Sequence, residues 1–278
     1  MAEIVMGYSA SHAPMMSADP KSAPPDKAKR FFKALETVRD TAKDKRAQAV
    51  VMISGEHFTN FFLSNLPQVC IGIGDSHLGP VEKWLGIERT VVPGAPGLGN
   101  AILAGNIADG FQPALSHNMI ADHGFMTVYY ELDRTMKLPM VPIVMNCTTP
   151  PLMTLQHAWN YGVSVGKAIR GYRGLERVVL CGAGGLSHFV GEPRVGDIDE
   201  EFDRWFLQQL EKPDLGNLLD MDNDELMVAG NGTGEVRAWV AVAGAMQGAK
   251  ATALNYEPIY EWINGMGVIT YEPSAAAR

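Results

Sequence analysis

Four of the seven histidines in this chain follow short apolar runs that have the composition of buried β-strands: His12, His57, His123 and His188. A neutral imidazole is a ligand for iron, zinc, copper or nickel, and it also titrates near neutral pH. A single histidine is most often half-buried without a special function. Ligands of parallel sheets bind beyond the carboxyl ends of the strands, so four histidines at such positions indicate one common site with ligands suited to a metal.

A metal site of this kind also needs a carboxylate. Two histidines and one carboxylate on one face of Fe(II) leave positions open for a substrate and for oxygen. The best candidate is Glu235, which ends a glycine-rich stretch and precedes an apolar helix. The glycines allow the backbone to approach a site closely. Taken alone, however, Glu235 is better interpreted as an exposed first-turn glutamate that the helix dipole favours.

Two other patterns predict different chemistry, and both are incomplete. Gly182 and Gly184 follow an apolar run as in a dinucleotide-binding loop, but Ser187 stands where that loop has its third glycine. Ser187 would be a nucleophile in a G-x-S-x-G elbow, but Phe189 occupies the last position of that motif. These departures weaken a nucleotide-binding α/β protein and a serine hydrolase as interpretations.

The composition disfavours several classes of partner. The 278 residues carry a formal net charge of −8, whereas phosphate binding needs clustered Lys and Arg, so we expect no nucleic-acid partner. No apolar run approaches the ~20 residues of a membrane span, and we expect no membrane partner. Cys70, Cys147 and Cys181 share no CxxC spacing, which is typical of reduced thiols. The N-terminal stretch lacks a secretory signal pattern, so we expect a cytoplasmic protein.

The elements that must position these residues alternate along the chain. The predicted strands cover residues 4–8, 49–54, 114–117, 140–145 and 177–181, and the predicted helices cover residues 24–46, 98–108, 125–136, 153–172, 199–210 and 236–246. This alternation predicts an α/β fold with three layers, in which helices cover both faces of a mostly parallel central sheet. We expect one catalytic domain over residues 1–278. The Gly- and Pro-rich stretch 72–97 is predicted to be a long functional loop.

Six segments of the chain resemble the class III extradiol dioxygenases, the family of protocatechuate 4,5-dioxygenase β subunits and 2,3-dihydroxyphenylpropionate 1,2-dioxygenases. The segments are SHAP (11–14), EHFTNFF (56–62), DHGF (122–125), GAGGLSH (182–188), the helix at 235–244 and YEPIYEWINGMG (256–267). They follow the order of the family and span nearly the whole chain. The EHF and GGLSH segments are fairly specific, and the glutamate motif is looser.

The resemblance implies a function for each of five residues. Fe(II) would be bound by His12, His57 and Glu235, and His188 and His123 would form an acid–base pair beside the iron. We assign His188 as the base that removes a catechol proton and His123 as the acid of the later ring-opening step, and these two roles can be exchanged. The resemblance also implies a three-layer α/β fold and an enzyme that opens a catechol-type ring with O2 beside its hydroxyl pair.

The substrate pocket and the partners are less closely defined by the sequence. Thr59 and Asn60 follow a predicted ligand closely enough to line the pocket, and Ser187 is included as a third pocket residue. The substrate is expected to be a small aromatic diol, with gallate-type compounds and aminophenols also open, and the EHFTNFF and GAGGLSH segments are closer to the dihydroxyphenylpropionate branch. The resemblance implies a homo-oligomer, and it leaves open a small α subunit that caps the site in some relatives.

Two alternatives remain open beside the dioxygenase. The first is a metal-dependent hydrolase with zinc in the same His-His-Glu site, which predicts tight zinc binding and activity that does not depend on air. The second is a non-catalytic binding protein of the same fold. The presence of both His123 and His188 argues against the second alternative, because a protein without catalysis has no need of an acid–base pair.

Overall fold

The computed structural model describes residues 1–273, within which strands and helices alternate. The strands are β1 (Glu3–Ala10), β2 (Ala49–Gly55), β3 (Val69–Gly72), β4 (Ser76–Gly79), β5 (Thr90–Pro93), β6 (Ala114–Ser116), β7 (Met140–Met145), β8 (Arg177–Ala183), β9 (Lys250–Ile259) and β10 (Asn264–Glu272). The α-helices are α1 (Met15–Ala18), α2 (Pro25–Asp44), α3 (Pro96–Ala108), α4 (His123–Leu132), α5 (Leu155–Gly171), α6 (Glu200–Leu210), α7 (Gly216–Leu219), α8 (Asn223–Val228) and α9 (Val236–Ala245). Short 3₁₀ turns lie at Pro20–Ser22, Asn231–Glu235 and Tyr260–Trp262.

Eight strands form one central sheet in the order β6-β3-β7-β2-β8-β1-β10-β9. The four central strands β7, β2, β8 and β1 are parallel to one another. Antiparallel pairing joins β3 to β7 on one side, and joins β10 to β1 and β9 to β10 on the other. The carboxyl ends of the four central strands therefore meet at one edge of the sheet.

Different helices cover the two faces of this sheet. Helices α3, α5 and α9 pack on one face, and α2 and α4 pack on the other. In β2, Val51 and Ile53 contribute to the first core, while Val50 and Met52 contribute to the second, because successive residues of a strand face opposite sides. All four side chains are buried, which explains the uninterrupted apolar run. The three layers and the mostly parallel sheet confirm the predicted fold class.

Several predicted elements have shifted ends, and α4 shows the cause. The helix was expected over residues 125–136, but it begins two residues earlier and ends at Leu132. Asp122 caps its start, since the side chain accepts a hydrogen bond from Gly124 N. Asp133 ends it, because its carboxylate accepts hydrogen bonds from backbone N–H groups of the following turn.

Some elements were absent from the prediction. The stretch 72–97, expected as one functional loop, contains the separate two-stranded sheet of β4 and β5. Strands β9 and β10 were not predicted, and they extend the central sheet at one side. Four of the ten residues of β9 are Ala, Lys or Asn, which have weak β-propensity, so its extended form depends on pairing with β10. Within residues 1–273, none of the helices has the length and apolar character needed to cross a bilayer.

Candidate active site

Three of the four histidines lie just beyond strands that run side by side in the same direction. His12 follows β1, His57 follows β2 and His188 follows β8, and β8 lies between β1 and β2 in the sheet. Their carboxyl ends therefore share one edge, where ligands of such sheets bind. The sheet topology thus places three histidines at one location although they are far apart in the chain.

His123 reaches the same edge by another path. Strand β6 is parallel to β3, and β3 is antiparallel to β7, so β6 ends at the opposite edge. The strand-end argument was therefore wrong for this residue. Residues 117–122 run back beside β4, where Ala121 N donates a hydrogen bond to Leu78 O at 2.9 Å. Helix α4 then begins at His123, whose ring centroid lies 4.2 Å from that of His57.

A compact group of atoms that are able to bind a metal forms at this edge. The imidazoles of His12, His57 and His123 each offer one nitrogen, and these nitrogens lie within 4.8 Å of one another. Glu235 lies against two of the rings. Its Oε2 is 3.0 Å from His12 Nε2, and its Oε1 is 2.9 Å from His57 Nε2. The Glu235 side chain is only 3% exposed, so it is not the solvent-facing first-turn glutamate of the competing interpretation.

Two of the four rings are oriented by backbone carbonyls. His12 Nδ1 lies 3.2 Å from Gly124 O, and His188 Nδ1 lies 3.0 Å from Leu186 O. A carbonyl oxygen only accepts, so in each pair the ring donates through Nδ1. The neutral ring then has its lone pair on Nε2. For His12, that nitrogen is the one that faces Glu235.

The other two rings are oriented by carboxylates. His57 Nδ1 lies 3.0 Å from Asp122 Oδ2, and His123 Nδ1 lies 2.7 Å from Glu82 Oε1. Ionised carboxylates accept hydrogen bonds and do not donate them, so these rings also donate through Nδ1. All four histidines therefore have the Nδ1 position occupied. Metal-binding histidines in proteins usually have their second nitrogen held in this way.

The electrostatics of the group follow from burial and from the facing charges. Burial alone would raise the pKa of the Glu235 carboxyl, but His12 and His57 outweigh it and hold that pKa well below its usual range. Burial lowers the pKa of His12, and Glu235 only partly offsets this effect. For His57, Asp122 and Glu235 together outweigh burial and raise the pKa well above its usual value. Asp122 itself has its pKa lowered to about 2, since His57 outweighs the effect of burial.

These contacts fit a divalent cation. His12 and His57 already donate through Nδ1, so contact between Nε2 and a carboxylate requires a second proton on each ring. His12, His57 and Glu235 would hold a metal ion without those protons, because metal ligands bind in their deprotonated form. Two neutral imidazoles and one carboxylate are a donor set suited to iron, and also to zinc. The residues present therefore fit a metal centre.

The glycines around Glu235 permit its position. A Cβ on Gly184 would lie 2.8 Å from Glu235 O, and a Cβ on Gly232 would lie 2.0 Å from His188 Nε2. Gly185 N donates a hydrogen bond to Glu235 Oε2 at 2.5 Å. Side chains at Gly184 and Gly232 would separate the end of β8 from the turn that carries Glu235. The GAGGLSH segment and the glycine-rich stretch before α9 therefore act as one close-packed unit.

Arg237 supports that turn from behind, and the sequence prediction did not include it. Its guanidinium is buried and donates to Gly234 O at 2.8 Å and to Met153 O at 2.6 Å. It also donates to the side chain of Asn223. The charge is used to satisfy carbonyl and amide oxygens, so Arg237 fixes the backbone one residue before Glu235.

The side chain of Asn60, predicted to line the substrate pocket, bridges two loops. It accepts from Ile120 N at 2.8 Å and donates to Ile120 O at 2.9 Å. Thr59 N donates to Glu56 Oε1 at 2.6 Å. Asn60 therefore joins the turn after His57 to the segment that leads into α4. Thr59 and Asn60 both lie on this turn, half-buried.

Ser187, the third predicted pocket residue, also makes internal contacts. Its hydroxyl donates to Asp203 Oδ2 at 2.9 Å and accepts from Asp199 N at 2.8 Å. Asp203 is fully buried, and it accepts two further hydrogen bonds, from Ser187 N and from the Tyr256 hydroxyl, each at 2.8 Å. This network attaches the segment before His188 to α6 and β9.

Sequence reasoning did not identify the two supporting acids. Asp122 could have been found, because an Asp directly before a helix start is a strong capping signal and it also stands next to His123. Glu82 offered no such signal. It lies 41 residues before His123, in a stretch whose pattern predicted no defined structure.

Comparison with known proteins identifies the family. Residues 6–267 match the family described as the catalytic LigB subunit of aromatic ring-opening dioxygenase. The chain belongs to this LigB family. The match spans the region in which the six motifs lie, and it confirms the resemblance to class III extradiol dioxygenases. This LigB-family chain is therefore an aromatic ring-cleaving dioxygenase.

Individual relatives agree with the family. The chain is 28% identical to a 2,3-dihydroxyphenylpropionate/2,3-dihydroxicinnamic acid 1,2-dioxygenase of Cupriavidus necator, over 90% of this chain and 94% of the relative. It is 27% identical to the enzyme of the same name from Paraburkholderia xenovorans, over 95% and 96% of the two chains. A solved structure of an uncharacterized Escherichia coli K12 protein superposes with a TM-score of 0.65 at 13% identity, over 96% of this chain and 99% of that one. This structural similarity supports only the fold of the LigB-family chain.

Proposed function

We propose that this LigB-family enzyme is an Fe(II)-dependent extradiol dioxygenase that opens the ring of a catechol-type diol with O2. The observation that carries the proposal is the convergence of His12, His57 and Glu235, with each histidine facing the carboxylate through Nε2 at 2.9–3.0 Å. Two histidines and one carboxylate leave open positions on the metal for a diol and for O2.

We assign the metal to His12, His57 and Glu235. His123 lies within the same group of nitrogens, but the two Glu235 oxygens lie against His12 and His57. A bound Fe(II) would lower the pKa of the ring hydroxyls and give the ring electronic contact with O2. The protein's part is to keep both ligand rings in one tautomer, which Gly124 O and Asp122 do through Nδ1.

His188 and His123 are the proposed acid–base pair. His188 donates through Nδ1 to Leu186 O, so Nε2 of the neutral ring can accept a proton from a bound hydroxyl. His123 donates through Nδ1 to Glu82, and its Nε2 has the same capacity. We place His188 as the base and His123 as the acid, and exchange of the two roles fits the same geometry.

The proposed substrate is a small catechol with an apolar or carboxylated side chain. The printed names of the relatives from Cupriavidus and Paraburkholderia support a 2,3-dihydroxyphenylpropionate-type compound. Beside His57, Phe58 is 42% exposed and Phe62 is 56% exposed. Aromatic side chains on the turn that follows a proposed metal ligand favour an aromatic substrate. Gallate-type compounds and aminophenols belong in the same panel of candidates.

The assembly and the location are proposed with the function. We propose a homo-oligomer in the cytoplasm, with residues 1–278 as one catalytic domain. Leu63 is 74% exposed on the turn that also exposes Phe62, and apolar surface next to a site supports contact with another subunit, either a second copy or a small α subunit. Sedimentation of the purified chain tests this proposal, and a monomer that is fully active would contradict it.

The function is tested by purification without oxygen in the presence of Fe(II), followed by mixing with a panel of catechols in air. We expect a coloured ring-fission product and uptake of one O2 per substrate molecule. Replacement of the exposed His157 by Ala is the control for the histidine variants, since this ring lies on α5 and packs on Phe111. Bound zinc together with hydrolytic activity that needs no O2 would establish the hydrolase instead.

A further inference from the structure

We propose that Glu82 is a positioning residue of this active site. It fixes His123 in the tautomer and orientation that present Nε2 to the site formed by the proposed metal ligands. The inference rests on the proposed function, because it assigns a support to the proposed acid of the reaction. It adds a carboxylate from a segment outside the six family-like motifs.

The contact between the two residues is made twice by one oxygen. Glu82 Oε1 accepts from His123 Nδ1 at 2.7 Å and from His123 N at 3.1 Å. One carboxylate oxygen therefore fixes both the ring and the backbone at the first residue of α4. A hydrogen bond to an ionised acceptor is shorter and stronger than a neutral one. Because the same oxygen holds the ring nitrogen and the backbone nitrogen of His123, rotation of the side chain is limited.

The ring has no replacement for this acceptor. Among residues 1–273, Glu82 is the hydrogen-bond partner of the His123 ring. The ring lies against two other imidazoles, with centroids 4.2 Å from His57 and 5.6 Å from His12. Imidazole neighbours do not dictate which nitrogen carries the proton in the way that a carboxylate does. Without Glu82, the proton can move to Nε2 and the lone pair that faces the site is lost.

Glu82 is held on an ordered turn between β4 and β5. Val81 N donates to Ala121 O at 3.1 Å, and Leu85 N donates to Glu82 O at 3.3 Å. The Leu85 side chain is fully buried and anchors the turn in the core. The support of His123 is therefore built into the fold.

The second oxygen of Glu82 argues against a purely structural role. Glu82 Oε2 is buried and has no hydrogen-bond partner within the described residues. An unsatisfied buried oxygen of a charged group destabilises the folded state. A carboxylate kept at this position for stability would be expected to have both oxygens satisfied. The charge is instead directed at one imidazole.

Two variants of similar size separate the effect of the hydrogen-bond acceptor from the effect of side-chain shape. Glu82→Gln keeps an oxygen that can accept from Nδ1, whereas Glu82→Met keeps the length and removes the acceptor. The first readout is the ¹⁵N chemical shift of the His123 ring nitrogens in zinc-loaded, ¹⁵N-histidine-labelled protein. We expect the Nδ1–H tautomer in the wild type and in Glu82→Gln, and its loss in Glu82→Met. The Nδ1–H tautomer retained in Glu82→Met would overturn the proposal.

The second readout is steady-state turnover of the iron-loaded protein. We expect Glu82→Met to lose about 10–100-fold in kcat, with KM and iron content changed less than about twofold, as is typical when the partner of a site histidine is removed. Glu88→Ala, an exposed acid on the same segment, is the matched control and should behave as the wild type. Unchanged kcat in Glu82→Met would also overturn the proposal. If the wild type opens no catechol, the proposed function fails, and the ¹⁵N readout still decides the positioning of His123.

Discussion

The four site histidines fall into two pairs that are oriented in different ways. His12 and His188 donate to backbone carbonyls, and their exposures are 2% and 7%. His57 and His123 donate to carboxylates, and their side chains are 18% and 16% exposed. The more exposed rings thus have the stronger, charged acceptors.

The difference has a physical reason. A buried ring is confined by packing, so a neutral carbonyl is sufficient to select its tautomer. A ring near solvent competes with water for its hydrogen bond, and a charged acceptor keeps the bond intact. A backbone carbonyl is present whatever the side chain, whereas a carboxylate can be removed by mutation. A single substitution can therefore change the orientation of a ring in the carboxylate-oriented pair without removing the ring itself.

The largest expected effect is the same for both pairs of histidines. His12→Ala and His57→Ala each remove a proposed metal ligand, one from each pair, so both should lose iron and all ring-opening activity. Metal analysis and oxygen uptake measure the two losses. If only one of the two variants loses iron, the proposed ligand set is incorrect, and His123 becomes the candidate for the missing position.

The next effect concerns His188, the carbonyl-oriented histidine that is the proposed base. His188→Ala should keep its iron and lose about 10²–10⁴-fold in kcat, because it removes a proton acceptor and leaves the ligands in place. His157→Ala is the control. Turnover that survives in His188→Ala would contradict the acid–base assignment.

A smaller effect concerns Asp122, the carboxylate that orients the proposed ligand His57. Asp122→Asn should weaken iron binding about 10–100-fold, because the amide orients the ring of His57 less strongly than the carboxylate does. The affinity for Fe(II) is measured by titration without oxygen. Asp133→Asn serves as a control, since Asp133 caps the other end of α4. Equal losses in the two variants would attribute the effect to the helix rather than to His57.

The smallest effect concerns Asp203, a buried acid that accepts hydrogen bonds from Ser187, the residue before the carbonyl-oriented His188. Burial raises the pKa of Asp203 to about 7, although hydrogen bonds from Ser187 and Tyr256 oppose it. The folded state then binds more protons than the unfolded state between pH 3.8 and about 7. Stability relative to Asp203→Asn should therefore fall as pH rises through this window.

Thermal unfolding at several pH values checks this expectation. The difference in Tm between the wild type and Asp203→Asn should shrink or change sign as the pH rises towards 7, and stay constant above it. A difference that is constant across the whole window would mean that Asp203 is ionised throughout. Ser187, which precedes His188 in the chain, would then be hydrogen-bonded to a permanent charge.

Much of this protein was readable from its sequence. The α/β class follows from alternating apolar runs and helical periodicities, and the uninterrupted run at Val50–Ile53 indicated a strand buried on both faces. The family could be recognised from six short motifs, each made of residues that are adjacent in the sequence. His12, His57 and His188 were placed at the site because strand ends of a parallel sheet share an edge.

Only the tertiary structure decided how the site is supported. The chain carries His123 back from the far edge through a return segment whose course depends on pairing with β4. Glu82 meets His123 across 41 residues, and Asp203 meets Tyr256 across 53. Local sequence patterns record the periodicity of one element and the capping of its ends. A hydrogen bond between distant side chains depends on how several elements pack, and no local pattern contains that information.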